Sequence, residues 1–340
     1  MIDAFDRDLA EEINHKYCAK PLLVPGGSFV RCGSRLKKDC PSCASIYAND
    51  WSAILRSGVA NLDASQFQWV FFTLTAPSFG KVHRTIRGSR CPCGEDHSDS
   101  DTRSNGAAID PSTYDYKRAA EWNYCMGRLW DGTRSMLRNH IQGIEYAVVR
   151  EWQARGNLHI HGMLRIPIHE ALPLTTISRL VGSTSTAWQG IDFSWGLQSD
   201  FQDFSPNETA IKRIVYLSKS LNYSLKDISE GPPSSARDHL RALRLASRMM
   251  SCERCANEPG RGLLCTQKCH LNYGARSSVV SVSRGGADKS RLGWSTTGLT
   301  RGAQREARIA WATGNNAPDT SGGLSAATVR AGRWAAGFSE

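Results

Sequence analysis

Leu158-His159-Ile160-His161-Gly162-Met163-Leu164-Arg165-Ile166 is the stretch on which the fold reading turns. As a strand it puts Leu158, Ile160, Leu164 and Ile166 on one face and His159 and His161 on the other, because side chains alternate along an extended backbone. Residues 144–152 read as a second strand, and Ala154-Arg155-Gly156-Asn157 between the two suits a hairpin turn. If the hairpin pairs symmetrically about Arg155, Glu151 faces His159 with Cβ atoms roughly 5 Å apart. One carboxylate and two imidazoles then converge on a single point, with coordination positions left for water and a phosphate oxygen. That mixed nitrogen and oxygen set suits Mn²⁺ or Mg²⁺ acting as a Lewis acid. An isolated H-x-H on a half-exposed strand carries no such meaning; the register with Glu151 supplies it.

Working outward, FQWVFFTLT at 67–75 is aromatic and β-branched and ends at Pro77, which predicts a buried strand. Residues 81–113 read as a polar loop, and Tyr114 to about His140 as a helix with Trp122, Cys125, Leu129 and Leu137 in the core. Ser205-Pro206-Asn207-Glu208 has the form of a helix start, and nothing breaks the pattern before Gly231-Pro232-Pro233. On that helix Ile211, Ile214, Leu217, Leu221, Leu225 and Ile228 share a side, while Tyr216, Lys219, Tyr223 and Lys226 cluster opposite. A phenol with a pKa near 10 needs positive charge close by to attack as a phenolate. A lysine one turn on would supply it, although tyrosines and lysines in this pattern also suit an ordinary exposed face.

The eleven cysteines fall in close groups within a chain that shows no export signal, which favours metal ligation over disulfides. Cys18, Cys32, Cys40 and Cys43 have the spacing of a structural zinc site, the last two in a C-x₂-C knuckle. Cys252, Cys255, Cys265, Cys269 and His270 offer five ligands for four places, leaving open whether Cys269 or His270 ligates. His83, Cys91, Cys93 and His97 form a third group whose C-x-C spacing is less usual for Zn²⁺. Cys125, alone on a helix, reads as a core thiol.

With 42 basic and 32 acidic residues the chain carries a net charge of +10, which favours a polyanionic partner. No run of eighteen apolar residues predicts a membrane span, and the acidic start MIDAFDRDLAEE has no apolar signal region, so a cytoplasmic protein without membrane contact is expected.

Taken together, these features resemble the HUH endonuclease superfamily. The motifs stand in order: Phe72-Thr73-Leu74-Thr75, then His159-Ile160-His161 with upstream Glu151, then Tyr216-Leu217-Ser218-Lys219. Within it the chain is similar to the actinobacterial replication initiators of rolling-circle plasmids and integrative elements. Cys40-Pro41-Ser42-Cys43, Tyr114-Asp115-Tyr116 before Trp122-Asn123, Glu151-x-Gln153-x-Arg155-Gly156 and the late C-x-x-C before Tyr273-Gly274 carry that likeness over residues 15–312. The resemblance implies an α+β fold, a five-stranded antiparallel sheet with flanking helices, embellished by cysteine-rich zinc modules. It implies Glu151, His159 and His161 as metal ligands, Tyr216 as nucleophile and Lys219 beside the phosphate. It also implies origin DNA as substrate, with a host helicase and polymerase as partners. Many such initiators carry a second tyrosine four residues after the first; here that position is Ser220, and Tyr223, seven residues on, is a second nucleophile, the sole one, or packing.

The expected organisation is a Cys₄ module over 1–60, a nuclease domain over 61–230 with the inserted 81–113 loop, a second zinc module over 231–312 and a tail over 313–340. Two other functions fit parts of the pattern. A transposase or relaxase would share the chemistry, though no G-x-x-x-x-G-K-S/T helicase signature occurs. A zinc-ribbon DNA-binding regulator would use the histidines structurally and form no covalent adduct.

Overall fold

A computed structural model describes residues 17–23, 29–60, 62–85, 90–98, 100–205, 231–255, 261–276, 279–286 and 292–312. The helix expected over 208–230, with Tyr216, Lys219 and Tyr223, lies outside the described residues, as does the 313–340 stretch. In chain order come β1 (Leu22–Leu23), β2 (Phe29–Val30), α1 (Pro41–Ser57), β3 (Phe67–Leu74) and α2 (Tyr116–His140). Then follow β4 (Glu145–Trp152), β5 (Leu158–Pro167), α3 (Leu174–Gly182), β6 (Ser185–Trp188), β7 (Ile191–Ser194) and β8 (Asp200–Asp203). The last are α4 (Ser235–Met249), α5 (Lys268–Leu271), β9 (Val280–Val282) and α6 (Arg301–Ala312).

Strands β8-β3-β5-β4-β9 form one five-stranded sheet, and each neighbouring pair is antiparallel. Its centre is the β4–β5 hairpin, where Glu151 pairs with His159 and Val149 with His161, the register expected from the turn. That turn closes through Gln153 N–H to Asn157 O at 2.8 Å and Gly156 N–H to Gln153 O at 2.9 Å, with Gly156 at φ 77°. The sheet also needs a glycine at 162. A Cβ there would run into the Phe72 ring and Val148, which close over it from the two neighbouring strands.

Both faces of the sheet are covered, and differently. Val70, Phe72, Leu74, Val148, Ile160 and Leu164 pack against α2, which buries Trp122, Cys125, Leu129 and Leu137 as its period predicts. On the other face, the one carrying His159 and His161, Trp69, Phe71, Ala147, Val149 and Met163 form a smaller core with Leu55 of α1, Val280 and Trp294. Arg165 is 2% exposed on this face because its guanidinium donates to the carbonyls of Gly58, Gly293 and Trp294.

Capping follows local chemistry. Cys40 Sγ accepts from Cys43 N–H at the start of α1, with Pro41 next; Asp115 caps α2 and Ser234 caps α4. Strand β9 and helix α4 both come from the 231–312 stretch, yet β9 forms a sheet edge and Leu240 and Leu243 of α4 lie in the main core.

Candidate metal centre

Strand alternation and the β4–β5 register bring Glu151, His159 and His161 to one point. Glu151 Oε2 lies 3.4 Å from His159 Nε2 and 3.3 Å from His161 Nε2, and the two rings stand 4.3 Å apart at 70°. One ligand atom from each of the three lies within 4.8 Å of the others.

The electrostatics fit a cation. Burial pushes the His159 imidazole below its ordinary pKa, outweighing the raising effect of Glu151, and so favours the neutral ring that a metal requires. His159 Nε2 is buried outside hydrogen-bond geometry. Thr73 Oγ1 lies 2.9 Å from His161 Nδ1; in the tautomer that donates from Nδ1, the bare Nε2 points toward Glu151. The Phe71 ring stacks on His161 at 6.2 Å and 19°. These residues can hold a divalent ion through one oxygen and two nitrogens, and the half-buried carboxylate side stays accessible.

A set of buried amides holds the hairpin in place, in which sequence reading put only Asn157, as a turn residue. Asn123 of α2 donates to Gly156 O at 2.9 Å and Tyr273 O at 2.7 Å, and its Oδ1 accepts from Leu158 N–H at 3.0 Å. Asn157 is fully buried and donates to Ala119 O at 3.1 Å. Arg155 donates to Ala76 O and Pro77 O at 2.9 and 3.0 Å, tying the end of β3 to the turn. Thr73 lay in a strand whose partner no local pattern reveals. The asparagines carried a weak signal as polar residues amid apolar neighbours.

The three cysteine groups also assemble. Cys18, Cys32, Cys40 and Cys43 offer four ligand atoms within 4.8 Å, as do His83, Cys91, Cys93 and His97. None of the eleven cysteines forms a disulfide. Backbone N–H groups of Ala19 and Cys43 point at Cys40 Sγ, and that of Cys32 at Cys18 Sγ. In the loop group, His83 Nδ1 lies 3.2 Å from His97 Nε2 and Cys93 Sγ 3.3 Å from the same nitrogen. Asp101 sits 3.2 Å from His97 Nδ1, the outer carboxylate that orients a ligating histidine.

In the third group the set is Cys252, Cys255, Cys265 and His270. His270 Nδ1 is 2.8 Å from Ser247 O and its Nε2 3.4 Å from Cys255 Sγ, so the structure places His270, and not Cys269, among the four. Cys269 is buried beside Cys252, and burial pushes its thiol up to about 12. One thiol in each group goes the other way. Burial raises all three, but N–H and thiol donors outweigh it and bring Cys40 to about 7; the same donors, with His83 for one and His270 for the other, bring Cys91 and Cys252 to about 6. Such groups can each hold a metal ion in a closed four-ligand set. Among the described residues no helix is long and apolar enough to cross a membrane.

The sequence model of one family, RepSA, described as the replication initiator protein of pSAM2, matches residues 23–337. A replication initiator protein of Streptomyces ambofaciens is 36% identical over 183 residues, which are 47% of this chain and 39% of that relative. This chain therefore spans well under half of that relative's length. No solved structure matches. With its family model covering nearly the whole sequence, the chain belongs to the RepSA family of replication initiator proteins.

Proposed function

We propose that this chain initiates rolling-circle replication by nicking one DNA strand, with HUH-type chemistry. The observation that carries the reading is the convergence of Glu151, His159 and His161 on one sheet face, in a chain of an initiator family. Glu151, His159 and His161 would hold a divalent ion, Mn²⁺ or Mg²⁺, which when bound would supply Lewis-acid polarisation of the scissile phosphate.

The other roles belong to the chain's own residues. Glu151 and the neutral imidazoles of His159 and His161 supply the donor atoms, and Thr73 orients His161. Tyr216 is the proposed nucleophile: its phenolate oxygen forms a bond to phosphorus as the P–O3′ bond breaks. The electron pair leaves on O3′, which takes up a proton, and the chain is left as a 5′-phosphotyrosyl ester. The free 3′-OH then serves as primer for a host polymerase after helicase opening of the duplex. Lys219, three residues on in the sequence, would offset phosphate charge and favour the phenolate. Tyr223 is the candidate for a second transfer.

The three cysteine groups are proposed as structural Zn²⁺ sites that staple loop-rich segments with little core of their own. Mass spectrometry of the purified chain should return three zinc ions per chain.

The test is covalent capture. Single-stranded DNA from the chain's own replicon is incubated with Mn²⁺ and wild type, Tyr216→Phe or Tyr223→Phe, then resolved on a denaturing gel. A shifted band lost only in Tyr216→Phe supports the proposal. Loss only in Tyr223→Phe keeps the enzyme and moves the nucleophile. No band with wild type favours the zinc-ribbon DNA-binding reading.

A further inference from the structure

On the α2 side of the sheet, opposite the His159–His161 face, a cavity of about 520 Å³ opens beside the Cys252–His270 group. Its wall includes Tyr124, Glu253, Arg254, Thr266, Lys268 and Arg276. Arg276 pairs with Glu253 at 3.1 Å, and Arg128 of α2 pairs with the same carboxylate. Each of these guanidiniums is fixed over a ring: Arg128 lies 4.8 Å from the Trp188 ring centre and Arg276 4.6 Å from that of Tyr124. The two rings pack 5.1 Å apart, and Tyr124 Oη accepts from Arg276 at 2.9 Å and from the Glu253 backbone at 3.0 Å.

The result is a preorganised cationic surface. Arg254, Lys268 and Arg276 line the cavity with one carboxylate, Glu253, which Arg128 also reaches from α2. Stacking holds the guanidinium planes, so binding an anion there costs little further side-chain ordering. Guanidinium and ammonium groups match phosphate oxygens, and Arg254 and Lys268 in the cavity wall are exposed.

We propose that this cavity grips the phosphodiester backbone of double-stranded DNA, without reading sequence. The inference rests on the reading of the chain as a DNA-acting initiator, and it adds a second contact remote from the nicking face. Duplex is favoured over single strand by the state of the aromatic ring. Single-strand sites stack bases on open rings, whereas Tyr124, the aromatic residue lining this cavity, is 3% exposed with Arg276 over it. What remains is a phosphate contact, the kind that positions a duplex.

The test is fluorescence anisotropy of a short arbitrary-sequence duplex, titrated with the full zinc-loaded chain between about 50 and 200 mM salt. Each phosphate contact removed should lower the salt slope by about 1, so Arg254→Ala with Lys268→Ala should lower it by about 2 and weaken binding roughly tenfold. Glu253→Gln should do the reverse and tighten binding several-fold, a gain that misfolding cannot produce. Zinc content equal to wild type shows that the variants are folded. Unchanged affinity and slope in both variants would overturn the proposal. Equal loss on single-stranded DNA would overturn the duplex assignment, and an effect confined to an acidic peptide competitor would assign the cavity to a protein. Absence of a covalent adduct with wild type would remove the nicking reading while leaving this result standing.

Discussion

The Glu151–His159–His161 group and the three cysteine groups each gather ligands to a point, but by different means. The first sits on two eight- to ten-residue strands at the centre of a sheet, and its geometry follows from β4–β5 register and from the Asn123 and Asn157 hydrogen bonds. The cysteine groups gather on knuckles, short turns, a four-residue helix and the first turn of α1, held by N–H···S contacts. A site borne by the sheet can lose its ion and keep its shape; a site that is itself the local structure cannot. Open coordination with oxygen and nitrogen donors suits turnover, and closed sulfur-rich coordination suits permanence.

The largest effect should come from the cysteine groups. Structural zinc in small modules contributes on the order of 10 kcal/mol of apparent binding energy to folding. Cys252→Ser with Cys255→Ser should therefore cost several kcal/mol, because α4 and β9 from that stretch belong to the main core and sheet. Glu151→Gln with His159→Asn should change stability by about 1 kcal/mol, since the strands that carry them keep their ladder and core. Urea melts of the two pairs measure the contrast, and equal losses would break it.

Next in size is a pH effect at His239, which joins the two regions. Its Nδ1 accepts from Ala108 N–H at 3.2 Å and lies 3.1 Å from Tyr116 Oη, and its Nε2 is 3.1 Å from Arg155 O in the hairpin turn. These partners fit the neutral ring, and burial pushes its pKa down from 6.5 to about 4. The unfolded chain takes a proton that the native chain refuses, so the stabilisation is full above pH 6.5 and is lost as pH falls toward 4. The loss should reach about 3 kcal/mol and be flattened in His239→Gln, as followed by melts across that range.

Gly162→Ala should cost about 1–3 kcal/mol, since the new methyl overlaps Phe72 and Val148 in a packed core. The strain also displaces His161, so Mn²⁺ affinity should fall together with stability. Smallest in free energy is Thr73→Val. Removing the Thr73–His161 hydrogen bond should weaken Mn²⁺ binding about tenfold with little change in stability, and Thr73→Ser should restore it. Calorimetric titration of the three proteins separates orientation of the ring from packing.

The legible parts of this fold were those with local signals. The hairpin register followed from alternation and a Gly-Asn turn, and β3 and α2 from continuous apolar or 3.6-residue patterns. Cysteine spacing anticipated all three groups, and the choice of His270 over Cys269 needed the Ser247 carbonyl, which is distant in sequence. Strands β8 and β9 are four and three residues long at the sheet edges and carry too little periodicity to be read. The β6–β7 hairpin was hidden for the same reason, although Gln189 and Gly190 at φ 51° and 75° make a tight turn. Arg165 is buried by carbonyls more than a hundred positions away. Long-range partners of this kind leave no trace in a local window.

The measurement that bears most directly on the central claim is Mn²⁺ titration by electron paramagnetic resonance, with zinc counted in the same samples. Wild type should bind one Mn²⁺ per chain beyond the proposed structural zinc. Glu151→Ala and His161→Ala should lose that ion while keeping zinc content and fold. Mn²⁺ binding that persists unchanged in both variants, or that disappears only along with zinc, would contradict the account.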